Sequence, residues 1–310
     1  MNHLNKLLLA CALAMPLAHA AAPMAHTQAP GYYRIMLDRF EVTALSDGTH
    51  PFPVDTVMTN ISPRQALQDL ADADLKLPLQ GSINAFLINT GDKLILIDTG
   101  AGALYGDCCG KLVAHLRAAG YQPGQVDEIY ITHLHKDHAG GIPAFPNAVL
   151  RVSQAEADYW LTPANKAKAP AFLSTFFDAA QAAVAPYQAS GRFQPYQDFG
   201  PLEAGITALP APGHTPGHAA YLIADKLLLW GDIVHVAPIQ LPHPDATVKY
   251  DSSESTAQAT RASLLRQAAE KHWIIGAAHI AFPGLGHLRR WRGEYQWLPL
   301  NYDEAPAAQP

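Results

Sequence analysis

Apolar positions along the chain recur in short β-type runs separated by turn-forming residues, with helical patterns between them. The runs predict strands over 33–45, 83–89, 93–97, 128–132 and 148–153, then a second series over 206–210, 219–223, 226–230 and 273–277. Leu112, Val113 and Leu116 recur at helical spacing before Gly120, which reads as a C-cap. Two further helices are predicted over 172–185 and 255–271, the latter with Ala259, Leu264, Leu265 and Ala268 at helical spacings. Two clusters of strands, each with its helices, predict two packed β-sheets with helices outside. Residues 22–31 read as an N-terminal arm. Prolines and glycines are spread rather than massed, so no linker divides the chain.

The chain opens on a different pattern. Lys6 precedes an apolar stretch from Leu7 to Leu17, and Ala18-His19-Ala20 follows. That order is expected of a secretory signal peptide over 1–20, leaving 21–310 as one domain in a periplasmic or secreted protein. The stretch is too short for a permanent membrane span. Processing as a lipoprotein at Cys11 is the weaker alternative, because few apolar residues precede that cysteine.

Chemistry enters at Thr132-His133-Leu134-His135-Lys136-Asp137-His138, where three imidazoles and a carboxylate fall within six residues. The segment leaves an apolar β-branched run and precedes Gly140-Gly141, so it is expected on a loop at a strand end. Alternation turns His133 and His135 one way, while Asp137 and His138 can reach a second centre. The spacing therefore suggests two metals. Further ligand types end later apolar runs: His214 and His218 in a Gly-rich turn, Asp232 after Leu227-Leu228-Leu229-Trp230-Gly231, and His279 after Ile274-Ile275. Asp232 after four apolar residues is either desolvated at a cost or paired with something positive, and a metal pair is a good partner. Asp98, before Thr99-Gly100, reads as a turn carboxylate or one that orients a ligand. His218 reads as a hydrogen-bonding neighbour of the ligands. His235 follows Asp232 by three residues and is expected near the metals. His26, His50, His115, His243 and His272 have no context that marks them.

The net charge of −6 argues against a nucleic-acid partner, and no other segment looks membrane-spanning. After the leader only the adjacent Cys108 and Cys109 remain, so the fold is not stapled by disulfides. They read as small loop residues, with a redox or accessory metal role as the alternative.

Asp98-Thr99-Gly100, Thr132 to His138, Gly213 to His218, Gly231-Asp232 and His279, in that order, resemble the metallo-β-lactamase superfamily. The segments 29–34, 43–48, 118–123, 126–132, 145–149 and 278–284 are similar to methyl parathion hydrolase and its lactonase relatives. The resemblance implies an α+β fold, an αββα sandwich with a dinuclear site at one edge. It implies that metal one takes His133, His135 and His214, that metal two takes Asp137, His138 and His279, and that Asp232 bridges them. Two zinc ions suit these ligands, and iron, manganese or cobalt could occupy such a site. Trp160, Phe177 and Tyr105 match pocket aromatics of methyl parathion hydrolase, and Tyr250 also enters the pocket by position. Phe52 is a further pocket candidate. A homodimer is implied as well.

The expected function is hydrolysis of lactones or aryl esters, with phosphotriester cleavage secondary. The alternative makes organophosphate cleavage the main activity. Two bound cations would acidify a shared water and polarise the scissile carbonyl or phosphoryl group. Asp137 or Asp232 could pass the proton to the leaving group. A β-lactamase is disfavoured by Asp232, and a glutathione thioesterase by the signal peptide and the lack of a basic patch. A periplasmic zinc carrier is disfavoured because the ligands sit at strand ends rather than in His-rich flexible tracts.

Overall fold

The run Leu94–Ile97 is four aliphatic residues in succession, as a strand buried on both faces should be. Leu94 and Leu96 face helices, while Ile95 and Ile97 face a second sheet. That alternation is repeated through the computed structural model, which describes residues 22–203 and 205–303. The leader expected over 1–20 lies outside the described residues. Residues 22–30 carry no regular structure and are exposed.

The N-terminal sheet has the order Tyr32–Leu37, Phe40–Phe52, Leu79–Asn89, Leu94–Ile97, Glu128–Tyr130 and Val149–Arg151. Its last two pairings are parallel and the others antiparallel. The C-terminal sheet runs Glu294–Pro299, Leu285–Trp291, Ile274–Gly276, Leu227–Leu229, Ala219–Ile223, Ile206–Pro210 and Gly200–Glu203. Within it only Leu227–Leu229 and Ile274–Gly276 pair in parallel.

Val42, Phe86, Ile95 and Ile97 from one sheet meet Ile206, Tyr221, Leu227 and Leu229 from the other in a common core. Outside the first sheet, Leu96 and Ile129 pack against Leu116, Trp160 and Phe177, carried by the helices Leu112–Ala118, Gln154–Leu161 and Ser174–Ala189. Outside the second, Leu222, Leu228 and Ile275 pack on Leu264, Leu265 and Ala268 of the helix Glu254–Glu270. The fold is thus the αββα sandwich expected. Among the described residues no helix is long and apolar enough to cross a membrane.

Three details differ from expectation. The run 33–45 is two strands, because Asp38 adopts a left-handed backbone at φ 53° and turns a hairpin. The helix expected over 172–185 runs instead from Ser174 to Ala189, carrying Pro186 near its end, where sequence reads a stop. The edge hairpin of Leu285–Trp291 and Glu294–Pro299 escapes periodicity because much of it is exposed.

Candidate metal centre

Strands of both sheets end at one edge of the sandwich, and each ending carries a polar side chain. Leu94–Ile97 ends at Asp98, Glu128–Tyr130 leads into Thr132 to His138, Leu227–Leu229 leads to Asp232, and Ile274–Gly276 to His279. The turn after Ile206–Pro210 supplies His214. His133, His135, His214 and Asp232 form one group of potential ligand atoms within 4.8 Å of one another. Asp137, His138 and His279 form a second, and Asp232, His235 and His279 a third.

Asp232 is the hub. Ring nitrogens of His138, His279, His235, His214 and His133 approach its carboxylate at 3.0, 3.1, 3.1, 3.3 and 3.6 Å. The far sides of several rings are already bound. His138 Nδ1 lies 2.8 Å from Asp98 Oδ2, His214 Nδ1 lies 2.7 Å from Asp251 Oδ1, and His279 Nδ1 lies 2.8 Å from the Ser82 carbonyl. His133 Nδ1 meets the Thr132 hydroxyl at 3.1 Å, and that hydroxyl donates to Asp98 at 2.8 Å. These partners place the protons on Nδ1, so the Nε2 lone pairs of neutral rings face a carboxylate. His133 Nε2, His138 Nε2 and Asp232 Oδ1 are buried and make no hydrogen bond. The two rings of His214 and His135 likewise oppose Nε2 to Nδ1 at 3.0 Å. Lone pairs converging on an anion require cations between them, and divalent metal ions fit these donors.

The titration tendencies of the metal-free chain express the same demand. Burial would depress His138 and His279, but Asp232 foremost among the neighbouring carboxylates holds both above their ordinary value. Burial is likewise outweighed at His214, where Asp232 and Asp251 push the ring up to about 9. Asp232 is held well below the usual carboxylate range against its own burial by the surrounding histidines, His138 foremost. His133 and His135 are lowered by burial.

The supports of the loops are as specific as the ligands. His218 is fully buried, and its Nε2 accepts from the Asp232 backbone N–H at 3.0 Å. Burial pushes it down to about 3. A Cβ on Gly231, whose φ is +58°, would stand 2.5 Å from that ring nitrogen, so only glycine lets Asp232 enter here. Asn84 donates to the Ala277 and Ile280 carbonyls at 3.0 and 2.7 Å and so ties the His279 loop to the opposite sheet. Glu156, on the helix Gln154–Leu161, accepts from Leu134 N at 2.9 Å and from the Trp160 indole at 2.6 Å. It also accepts from the Thr215 hydroxyl at 2.7 Å and from Gly217 N at 3.0 Å. Burial raises its carboxyl, and the four donors oppose that rise.

A cleft of about 260 Å³ opens over Asp137, Asp232 and His279. Phe52, Tyr105, His235 and Tyr250 line it as expected from sequence, and so do His50 and Phe176, which sequence did not single out. Trp160 and Phe177 do not line it. Phe177 is fully buried and packs on Trp160, with ring centres 4.5 Å apart. Trp160 stands behind His135, ring centres 5.2 Å apart. Successive residues on a helix point about 100° apart, so Phe176 faces the cleft where Phe177 faces the core. His50 reaches the cleft because its strand continues to Phe52, past the predicted end at residue 45. His235 has neither ring nitrogen in a hydrogen bond, and its ring stacks over Phe52 at 6.3 Å. Cys108 and Cys109 are unbridged, and the Cys108 thiol meets the Tyr105 carbonyl at 3.2 Å.

Sequence reasoning found neither Asp251, Glu156 nor Asn84. Only Glu156 left a signal, as the last residue of Ser153-x-x-Glu156 at a helix start. That motif marks the helix, not the inward turn of the carboxylate.

Fold and site together define a hydrolase-type scaffold with a metal-binding edge, and the chain belongs to the Metallo-beta-lactamase superfamily, whose family model matches residues 79–279. Its similarities narrow from there. A solved structure described as hydrolase AbOPH in the beta lactamase superfamily is 37% identical, covers 90% of this chain and 100% of its own, and superposes with a TM-score of 0.85. AidC, a dizinc quorum-quenching lactonase solved with N-hexanoyl-L-homoserine as product, is 27% identical over 88% of this chain and 99% of its own, with a TM-score of 0.81. The N-acyl homoserine lactonase AttM of Agrobacterium fabrum is 31% identical over 52% of this chain. A probable metallo-hydrolase of Mycobacterium bovis is 32% identical over 46% of it. The chain spans 60% and 56% of the lengths of these last two relatives.

Proposed function

We propose that the protein is a secreted or periplasmic dinuclear zinc hydrolase that opens lactones and cleaves aryl esters, with phosphotriesters as poorer substrates. The observation that carries the proposal is the pair of neighbouring ligand groups under an aromatic-lined cleft, with Asp232 a member of the first and within 3.1 Å of His138 and His279 of the second. The lactonase relatives support the substrate class. Bound there, two zinc ions supply an acidified water and Lewis-acid polarisation of the scissile carbonyl.

The residues divide the remaining tasks. His133, His135 and His214 would hold one ion, Asp137, His138 and His279 the other, and Asp232 would serve both. Asp137 reaches the cleft, and its carboxylate would take the proton during attack and return it to the leaving alkoxide. His235 contributes its ring to the cleft wall, with Nε2 turned to Asp232 at 3.1 Å. Phe52, Phe176 and Tyr250 cover the acyl side and exclude water. The cleft lies at the small end of ligand sites, which suits a lactone ring better than a tetrahedral phosphorus bearing two alkoxy arms.

The test is kcat/KM across lactones, aryl esters, a phosphotriester and a cephalosporin, with metal analysis of the same sample. Two metals per chain, activity lost on chelation, and lactones or aryl esters leading the panel are expected. One metal or none in active protein would sink the dinuclear assignment. A leading phosphotriester would transfer the main activity to organophosphate cleavage. Sequencing the mature N-terminus from the native host checks secretion, and a start between His19 and Pro23 is expected. Sedimentation checks the proposed homodimer.

A further inference from the structure

Glu156 is a buried carboxylate that touches no ligand atom, yet both of its oxygens are committed to the loops that carry the ligands. Oε1 accepts from Leu134 N, between His133 and His135, and from the Trp160 indole. Oε2 accepts from the Thr215 hydroxyl and from Gly217 N, between His214 and His218. The two loops arise on different sheets and are separated by some eighty residues, with His214 Nε2 and His135 Nδ1 brought to 3.0 Å. Four donors saturate a carboxylate and leave no room for an acid proton. A buried anion held this way is costly unless each donor is kept, which makes the arrangement intolerant of change.

We propose that Glu156 is the positioning residue of the three-histidine group, clamping the His133–His135 loop to the His214–His218 loop so that three imidazoles converge on one ion. The inference rests on the dinuclear hydrolase assignment and adds to it the residue that sets the bite of the first site. A glutamine is isosteric but presents an amide N–H₂ to donors on one side, whichever way it turns. One of the two loops is then released while the helix and its packing persist.

The experiment compares wild type with Glu156→Gln for zinc stoichiometry, zinc dissociation constants by chelator competition, and the visible bands of the cobalt-loaded forms. Circular dichroism checks the fold. A folded Glu156→Gln in which one of the two zinc sites weakens about 10–100-fold, with altered cobalt bands, is expected. Two metals held at wild-type affinity with an unchanged cobalt spectrum would overturn the proposal. If Glu156→Gln does not fold, Thr215→Val and Trp160→Phe decide. Each removes one donor to Glu156, but only Thr215 belongs to a ligand loop. Thr215→Val should weaken zinc binding at least several-fold more than Trp160→Phe, and equal affinities would overturn the clamp. Wild-type protein without metal affinity would overturn both this proposal and the hydrolase assignment, whereas a metal-binding wild type with an indifferent Glu156 removes the clamp alone.

Discussion

His214 Nδ1 and Asp251 Oδ1 lie 2.7 Å apart, and both side chains are buried. Asp251 also accepts from Val248 N at 3.1 Å, so the carboxylate is fixed before it meets the ring. The pair orients His214 and leaves its Nε2 free for an ion.

The pH dependence of the metal-free chain follows from this contact. The His214 pKa rises on folding from 6.5 to about 9 against its burial, through Asp232 and Asp251. A raised histidine contributes stability that is fully present below the unfolded value and is lost as pH climbs through the folded one. Thermal unfolding of metal-free protein should therefore show Tm falling between about pH 6.5 and 9. Asp251→Asn should flatten that fall and weaken zinc about 10–100-fold. An unchanged slope in the variant would remove Asp251 as its cause.

Asp232→Ala should cost far more hydrolysis than His218→Ala. The first deletes the carboxylate that belongs to one ligand group and lies within 3.1 Å of His138 and His279 of the other. The second removes a support to its backbone N–H, a change that typically costs about 10–100-fold. Equal losses in kcat/KM would mean that the bridge is assigned to the wrong residue.

The neighbours Phe176 and Phe177 should behave oppositely. Phe177→Ala empties a fully buried ring site and should cost about 3–5 kcal/mol, read from denaturant unfolding, with little change in KM of the folded protein. Phe176→Ala, at a half-buried ring on the rim of the same core, should cost clearly less stability than Phe177→Ala and raise KM for substrates with long acyl groups. The reverse pattern would show that the helix meets the cleft in the other register.

Much of this architecture could be read in the sequence, because it is written in short-range patterns. Leu94–Ile97 and Leu227–Leu229 announce buried strands, and the motif from His133 to His138 announces its chemistry by density alone. What escaped is set by long-range approach. Asp251 is 37 residues from His214 and Asn84 is 193 from Ala277, and no local pattern distinguishes either from a surface polar residue. A resemblance picks out Phe177 by its place along the chain, whereas pocket access depends on helix phase and falls to Phe176.

His235→Leu tests the substrate preference. His235 lines the cleft with its ring and turns Nε2 to Asp232 at 3.1 Å, so leucine there makes the cleft wall more apolar, which favours a phosphotriester with two alkoxy arms over a polar lactone. The ratio of kcat/KM for phosphotriester to that for lactone should rise in the variant, by about 10-fold or more. A ratio that does not move would remove the physical ground for preferring lactones.

The donors at this edge come from both layers of the sandwich: His133 to His138 from one, His214, Asp232 and His279 from the other. An ion seated among them is a rivet through a seam. Any partly opened form in which the layers part splits the group of His133, His135, His214 and Asp232 and the group of Asp137, His138 and His279 at once. Ligand held only by the closed form adds about 2.7 kcal/mol at a hundredfold excess over its dissociation constant. Metal supply would then govern how long the folded chain survives as well as how fast it turns over.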